Sequence, residues 1–140
     1  MAEVKRFAKR RRTSVSAVVQ LFAEEALRRE TVPGVVFRDG PAGRRAAVEG
    51  GPDVWEVVDA VRGALAEDAS APATVAVTAA AQGEDELAGH AARTGLPRRA
   101  IAIGLDYYSR YPDEIDQWIA DNRLEAEQAH AAWLVRQTLR

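Results

Sequence analysis

Residues Leu87 to Arg110 read LAGHAARTGLPRRAIAIGLDYYSR, and this stretch sets the expected architecture. Its pattern is two helices joined by a tight turn at Thr94-Gly95-Leu96. Gly95 stands where a helix end needs a residue that tolerates positive φ. Ala91, four residues earlier, is small enough to let two helices approach. Ile101, six residues later, closes the apolar contact between them. Pro97 opens the second helix at a position where its missing N–H costs nothing. Arg98 and Arg99 fall in that helix's first turn, the part of a helix-turn-helix that faces the major groove. Ordinary αα-corners share the pattern. A DNA-reading corner and a purely structural one therefore both stay open on these residues alone.

For the chain as a whole, 140 residues suit one domain, or one domain with an arm. Hydrophobic residues make up 47%, but many are alanine and only 6% are aromatic, which favours helices over a large aromatic core. The Ala- and Arg-rich usage suggests a GC-rich bacterial genome. Without cysteine the chain has no disulfide framework, thiolate zinc site or cysteine nucleophile. No apolar run approaches the ~18 residues of a membrane span, and the N-terminus lacks a signal-peptide core. The expectation is a cytoplasmic protein.

The net charge of −2 hides an asymmetry. Residues 1–12 hold Lys5, Arg6, Lys9, Arg10, Arg11 and Arg12 against Glu3 alone. Acids gather later, at Glu84-Asp85-Glu86 and at Asp113, Glu114 and Asp116. A basic end on an acidic body points to a polyanion for one part and another partner for the rest.

Residues 2–12 have helical spacing, with Val4, Phe7 and Ala8 on one side. After Thr13, Ser14 or Ser16 caps a second helix from Val15 to about Glu30. Its apolar set is Val15, Val18, Val19, Phe22, Ala26 and Leu27. The stretch FAKRRRTSVSAVVQLFAEEALRR resembles the helix pair of ribbon-helix-helix repressors of the CopG or Arc type, with Ser14-Val15-Ser16 in the turn. That resemblance implies a dimerising helix pair. It also implies DNA-backbone contact from the second helix's N-terminus and from Lys9 to Arg12. The family's reading strand precedes its first helix. Here only Met1 and Ala2 do, so the expectation is either an upstream start or a copy without its ribbon.

Thr31 to Gly34 reads as the turn ending that helix. A β-hairpin follows, with Val35-Val36-Phe37 and Arg44 to Glu49 as strands around an Asp39-Gly40-Pro41-Ala42-Gly43 loop. Asp53 is placed to cap a helix from Val54 to about Glu67, and Trp55 is read as core. Asp68 to Gln82 is Ala-, Ser-, Thr- and Pro-rich and reads as a loop or linker. Tyr111-Pro112 ends the second corner helix, and a last helix begins at Pro112. Its heptad-like stripe is Ile115, Ile119, Asn122, Ala126, Ala129 and Trp133, flanked by Trp118 and Leu134. Such a stripe covers either its own core or a partner.

The longer pattern PGVVFRDGPAGRRAAVEGGPDVWEVV, then the corner, then LDYYSRYPDEIDQWI, is similar to the antitoxin-like domain of unknown function at the C-terminus of some bacterial VapB-type proteins. The residues carrying it are Phe37-Arg38-Asp39-Gly40, Gly43-Arg44-Arg45, Asp53-Val54-Trp55-Glu56, Tyr107-Tyr108 and Pro112 to Asp116. The resemblance implies a homeodomain-like helical fold, a dimer, and a toxin–antitoxin pair whose toxin is a PIN-type ribonuclease.

Other chemistry finds little support. His90 and His130 lack the carboxylate constellation of a metal site, and no metal or cofactor is expected. Asp113, Glu114 and Asp116 fit a helix N-terminus without catalysis. No serine sits in a G-x-S-x-G elbow, and the glycines form no phosphate loop. Tyr107 and Tyr108 are expected to split, one buried and one at a surface or dimer contact.

The expectation is a mainly α protein, not an enzyme: a basic αα arm (1–31), a hairpin plus helix-turn-helix domain (32–111) and a long C-terminal helix (112–140). As an antitoxin it binds its own promoter DNA through Lys5, Lys9, Arg10, Arg11, Arg12, Ser14, Arg44, Arg45, Arg98 and Arg99. It binds its toxin through Ile115, Trp118, Ile119 and Trp133, and it forms a homodimer away from any membrane. The alternative is a dimeric structural or interaction protein without specific DNA binding.

Overall fold

A computed structural model describes residues 1–67 and 83–139. The molecule is mainly helical, with six helices and one antiparallel hairpin among these residues. In chain order they are α1 (Ala2–Arg10), α2 (Val15–Thr31), β1 (Val35–Gly40), β2 (Gly43–Val48), α3 (Val54–Glu67), α4 (Glu84–Thr94), α5 (Arg98–Arg110) and α6 (Pro112–Thr138). The loop expected over 68–82 lies outside the described residues.

Local chemistry accounts for the breaks. Ser14 is the cap of α2, its hydroxyl oxygen accepting the Ala17 N–H at 3.1 Å. Gly95 ends α4 in the left-handed region, φ 71°, as the Thr94-Gly95-Leu96 turn requires. The hairpin is tighter than expected. Asp39, Gly40 and Gly43 belong to the strands, pairing Asp39 with Arg44 and Gly40 with Gly43, so only Pro41-Ala42 turn. Val32, expected in a turn, is buried and joins the core.

α5 is the central element. Ala100, Ile101, Ile103, Gly104, Leu105, Tyr107 and Tyr108 are all buried on it, against α3, α4, α6 and the hairpin. Burying a side chain such as Ile101 or Leu105 contributes about 1.5–3 kcal/mol. α3 supplies Val54, Val57, Val58 and Val61 to the same core, and Trp55 packs on its margin. At Gly104 the α3–α5 approach leaves no room: a Cβ there would stand 2.7 Å from Val57 Cγ1. Gly104→Ala is therefore expected to cost about 1–2 kcal/mol, overpacking outweighing the helix propensity it gains. Val57→Ala in the same chain should recover part of that loss, and thermal unfolding of the two single variants and the double measures it.

Two Arg–Tyr–carboxylate triads fasten the start of α6. Arg28 of α2 donates to the Tyr107 hydroxyl (2.8 Å) and to Glu114 (2.9 Å), while Tyr107 donates to Glu114 at 2.6 Å. The Arg28 guanidinium also lies 4.2 Å from the Tyr111 ring centroid. On α3, Arg62 engages both Tyr108 and Asp116, and Tyr108 donates to Asp116 at 3.1 Å. Burial, then the bond to Glu114, pushes the Tyr107 phenol well above its ordinary pKa. Both tyrosines are buried, which corrects the expectation that one would face a surface or dimer contact. The two hydroxyls are each accommodated because an arginine and a carboxylate meet them inside.

His90 on α4 is buried, and its Nδ1 has no hydrogen-bond partner among the described residues. Burial, and after it Arg93, lower its pKa from the ordinary 6.5. The folded state thus resists the proton that the unfolded chain accepts. His90's contribution is present at pH above about 6.5 and is lost as pH falls below it. Melting temperature should fall between about pH 7.5 and 5.5 in the native chain and change less in His90→Leu.

Candidate nucleic-acid interface

α1 is amphipathic in a simple sense. Ala8 is buried, Phe7 packs on Phe22 of α2 with ring centroids 5.0 Å apart, and the remaining faces are basic. Lys5, Arg6, Lys9, Arg10 and Arg12 are all exposed. Among the described residues none of the five has a carboxylate partner, although Arg10 lies 5.8 Å from the Phe7 centroid. Arg6 belongs with the expected set, and its place on the same short helix is the signal that identifies it.

Arg12, in the turn just past α1, has φ 53°, the only non-glycine at positive φ among the described residues. The Thr13 N–H closes the turn onto the Ala8 carbonyl at 3.0 Å. Glycine is the residue that this position favours, and a side chain there costs about 1 kcal/mol. Keeping a cation at a strained terminus is consistent with a binding role. Arg12→Gly should raise stability by up to ~1 kcal/mol, and if α1 is a phosphate contact it should also weaken DNA binding. Chemical denaturation and a binding titration on one sample check both.

The other expected DNA contacts divide. Arg44 is turned inward: its guanidinium forks onto Glu25 of α2, with a 2.7 Å bond to Oε2, and reaches Asp39 at 3.4 Å. Arg45 is held by Asp53, whose other oxygen accepts from Arg38 at 2.9 Å. Both arginines are only 20–23% exposed and serve the fold, which corrects their assignment to phosphate. The Asp53 carboxylate, expected to cap α3, is taken up by these two guanidinium groups. Its own N–H is instead accepted by Glu56 at 2.9 Å. Arg11 pairs with Asp39 and stacks over Phe7, tying α1 to the hairpin end. Ser14 is exposed at the N-terminus of α2.

Arg98 and Arg99 are exposed at the start of α5, with Arg98 4.0 Å from Glu84. They do not join the α1 cluster. Arg99 lies near Gly34, beyond the far end of α2, whose 17 residues span roughly 25 Å. Beyond Arg99, most of α5 is buried, so this corner offers few side chains to a groove.

The C-terminal helix also divides. Ile115 and Ile119 are 1% and 3% exposed, in the core of this chain, so they are not partner contacts. Trp118 is half-buried beside the hairpin turn. From Ala120 to Leu139 every residue is exposed, including Leu124, Trp133, Leu134 and Val135. The arm is thus about 28 Å of bare helix, starting later than the expected boundary at 112. Leu124, Leu134 and Val135 join Trp133 as its exposed apolar residues. α2 likewise leaves Val19, Phe22 and Leu27 exposed, although Val18 is buried. Through Arg28 and Arg44, α2 is fastened to the rest of the fold rather than forming a separate arm with α1.

No protein-family model, curated protein or solved structure matches the chain. Among the described residues no helix is long and apolar enough to cross a membrane, and no group of His, Cys, Asp and Glu is arranged to hold a metal.

Proposed function

We propose that the protein is a cytoplasmic DNA-binding antitoxin that regulates its own promoter and neutralises a PIN-type ribonuclease toxin. The observation that carries this reading is a contrast between arginines. Arg28, Arg38, Arg44, Arg45 and Arg62 all have carboxylate partners, and so does Arg11, whereas among the described residues Lys5, Arg6, Lys9, Arg10 and Arg12 do not. A cation cluster left unpaired on one short helix suits phosphate, whose neutralisation dominates nucleic-acid affinity. The exposed apolar face of α2 supports the homodimer implied by the ribbon-helix-helix resemblance. The bare part of α6 supports a toxin-docking arm, through Trp118 and Trp133 rather than the buried isoleucines. Asp121, Glu125 and Glu127 on that arm suit the basic surface of an RNA-cleaving partner.

The test is a titration of labelled DNA from upstream of its own gene, with unrelated DNA as competitor. Binding that survives the competitor supports the regulator. Equal displacement favours the second reading, a dimeric interaction protein, to which the exposed α2 and α6 faces also lend support. For the arm, Trp118→Ala with Trp133→Ala should abolish toxin binding, and unchanged binding removes the assignment.

A further inference from the structure

At the root of the α6 arm lies a cleft of about 260 Å³, between the hairpin turn, α3 and α6. Trp55 of α3 and Trp118 of α6 line it, and both are half-buried. Glu56, Asp121 and Glu125 stand around it. Glu56 accepts the Asp53 N–H at 2.9 Å, and Asp121 accepts from Gln117 at 2.7 Å. Neutral donors therefore hold two carboxylates in position and leave their charge unneutralised. Arg45 and Asp53 in the lining pair with each other, and Asp53 also takes Arg38, so Glu56, Asp121 and Glu125 are the carboxylates left without a guanidinium among the described residues.

We propose that this cleft receives an arginine side chain of a separate protein partner. Its size favours one side chain, being below the roughly 300–1,000 Å³ of small-molecule pockets. Two indoles in the lining suit a planar cation, for which a guanidinium is a better match than an ammonium. The carboxylates repel phosphate, so the cleft is not an extension of the DNA surface. The assignment deepens the partner-arm reading and rests on it only for which protein brings the arginine.

The cleft is tested on the full chain without that protein. The probe is a capped Gly-Arg-Gly tripeptide, with the neutral citrulline analogue as control. The chain has three tryptophans, whose indole N–H resonances report separately. The arginine peptide should shift Trp55 and Trp118 and leave Trp133, out on the arm, unmoved. The citrulline peptide should shift none. Asp121→Asn with Glu125→Gln, conservative changes on an exposed helix face, should weaken binding by at least about fivefold. The same spectrum reports whether that variant is folded. Equal shifts with citrulline, equal movement of Trp133, or no shift at all would overturn the proposal. Shifts of the two indoles on concentrating the protein alone would replace the separate partner with α1 of a second copy. None of these signals depends on DNA or toxin binding, so a failure here and a failure of the antitoxin reading are distinguishable.

Discussion

Asp53→Ala should unfold roughly 10 °C below the parent chain, a larger stability loss than that expected of Gly104→Ala. Asp53 is 5% exposed and serves three elements at once. Its oxygens take Arg38 of β1 and Arg45 of β2, and its backbone bridges to Ala47 and opens α3. Removing the carboxylate takes from both guanidinium groups the partner they share. Breaking a buried pair costs about 3–5 kcal/mol. Arg38 and Arg45 keep some access to water, which sets the expectation near 3 kcal/mol, the lower end. At about 3 °C per kcal/mol for a chain of this size, that gives the shift stated. Arg123→Ala provides the comparison. Its pair with Asp59 spans 2.7 Å, but Arg123 is 63% exposed, and exposed pairs contribute about 0–1 kcal/mol. Thermal unfolding of both variants separates the two cases, and equal shifts would mean that Asp53 is not the junction described.

The second large effect is on binding. Lys9→Ala, Arg10→Ala and Arg12→Ala in one chain should lower DNA affinity by roughly 100-fold at physiological salt. Each lost phosphate contact forfeits nearly one counterion's release. None of the three residues has an ion-pair partner among the described residues, so the melting temperature should barely move. Arg44→Ala should behave oppositely. It leaves Glu25 buried without its fork and lowers stability, with little change in the salt dependence of DNA binding. An affinity loss in Arg44→Ala that matches the triple variant's would restore Arg44 as a phosphate contact.

Local signals in the sequence were the most legible. Gly95, the Ser14 cap, Pro97 at the start of α5 and Pro112 at the start of α6 act within a few residues, and each falls where its chemistry places it. Partners distant along the chain were not legible. An exposed arginine and a structural one look alike in sequence. Arg44 and Arg45 are recognisable as structural only once folding brings Glu25 and Asp53 to them. The triads are harder still, since Arg28 lies 79 residues from Tyr107 and 86 from Glu114. The short spacings were available: Tyr107 to Glu114 is seven residues and Tyr108 to Asp116 is eight, both across the Pro112 break. In α6 one apolar stripe runs through a helix of which only the beginning docks. Periodicity identifies the face, but which turns meet the core depends on where α3 and α5 end beneath it.

If the unpaired cations of α1 hold DNA, binding to the DNA upstream of the gene must weaken steeply with salt, and a titration across salt concentrations reads this out. Five exposed cations, Lys5, Arg6, Lys9, Arg10 and Arg12, give an expected slope of log K against log salt of about −4 to −5 per chain. A slope near zero, or no binding at low salt, would contradict the assignment of α1 to phosphate.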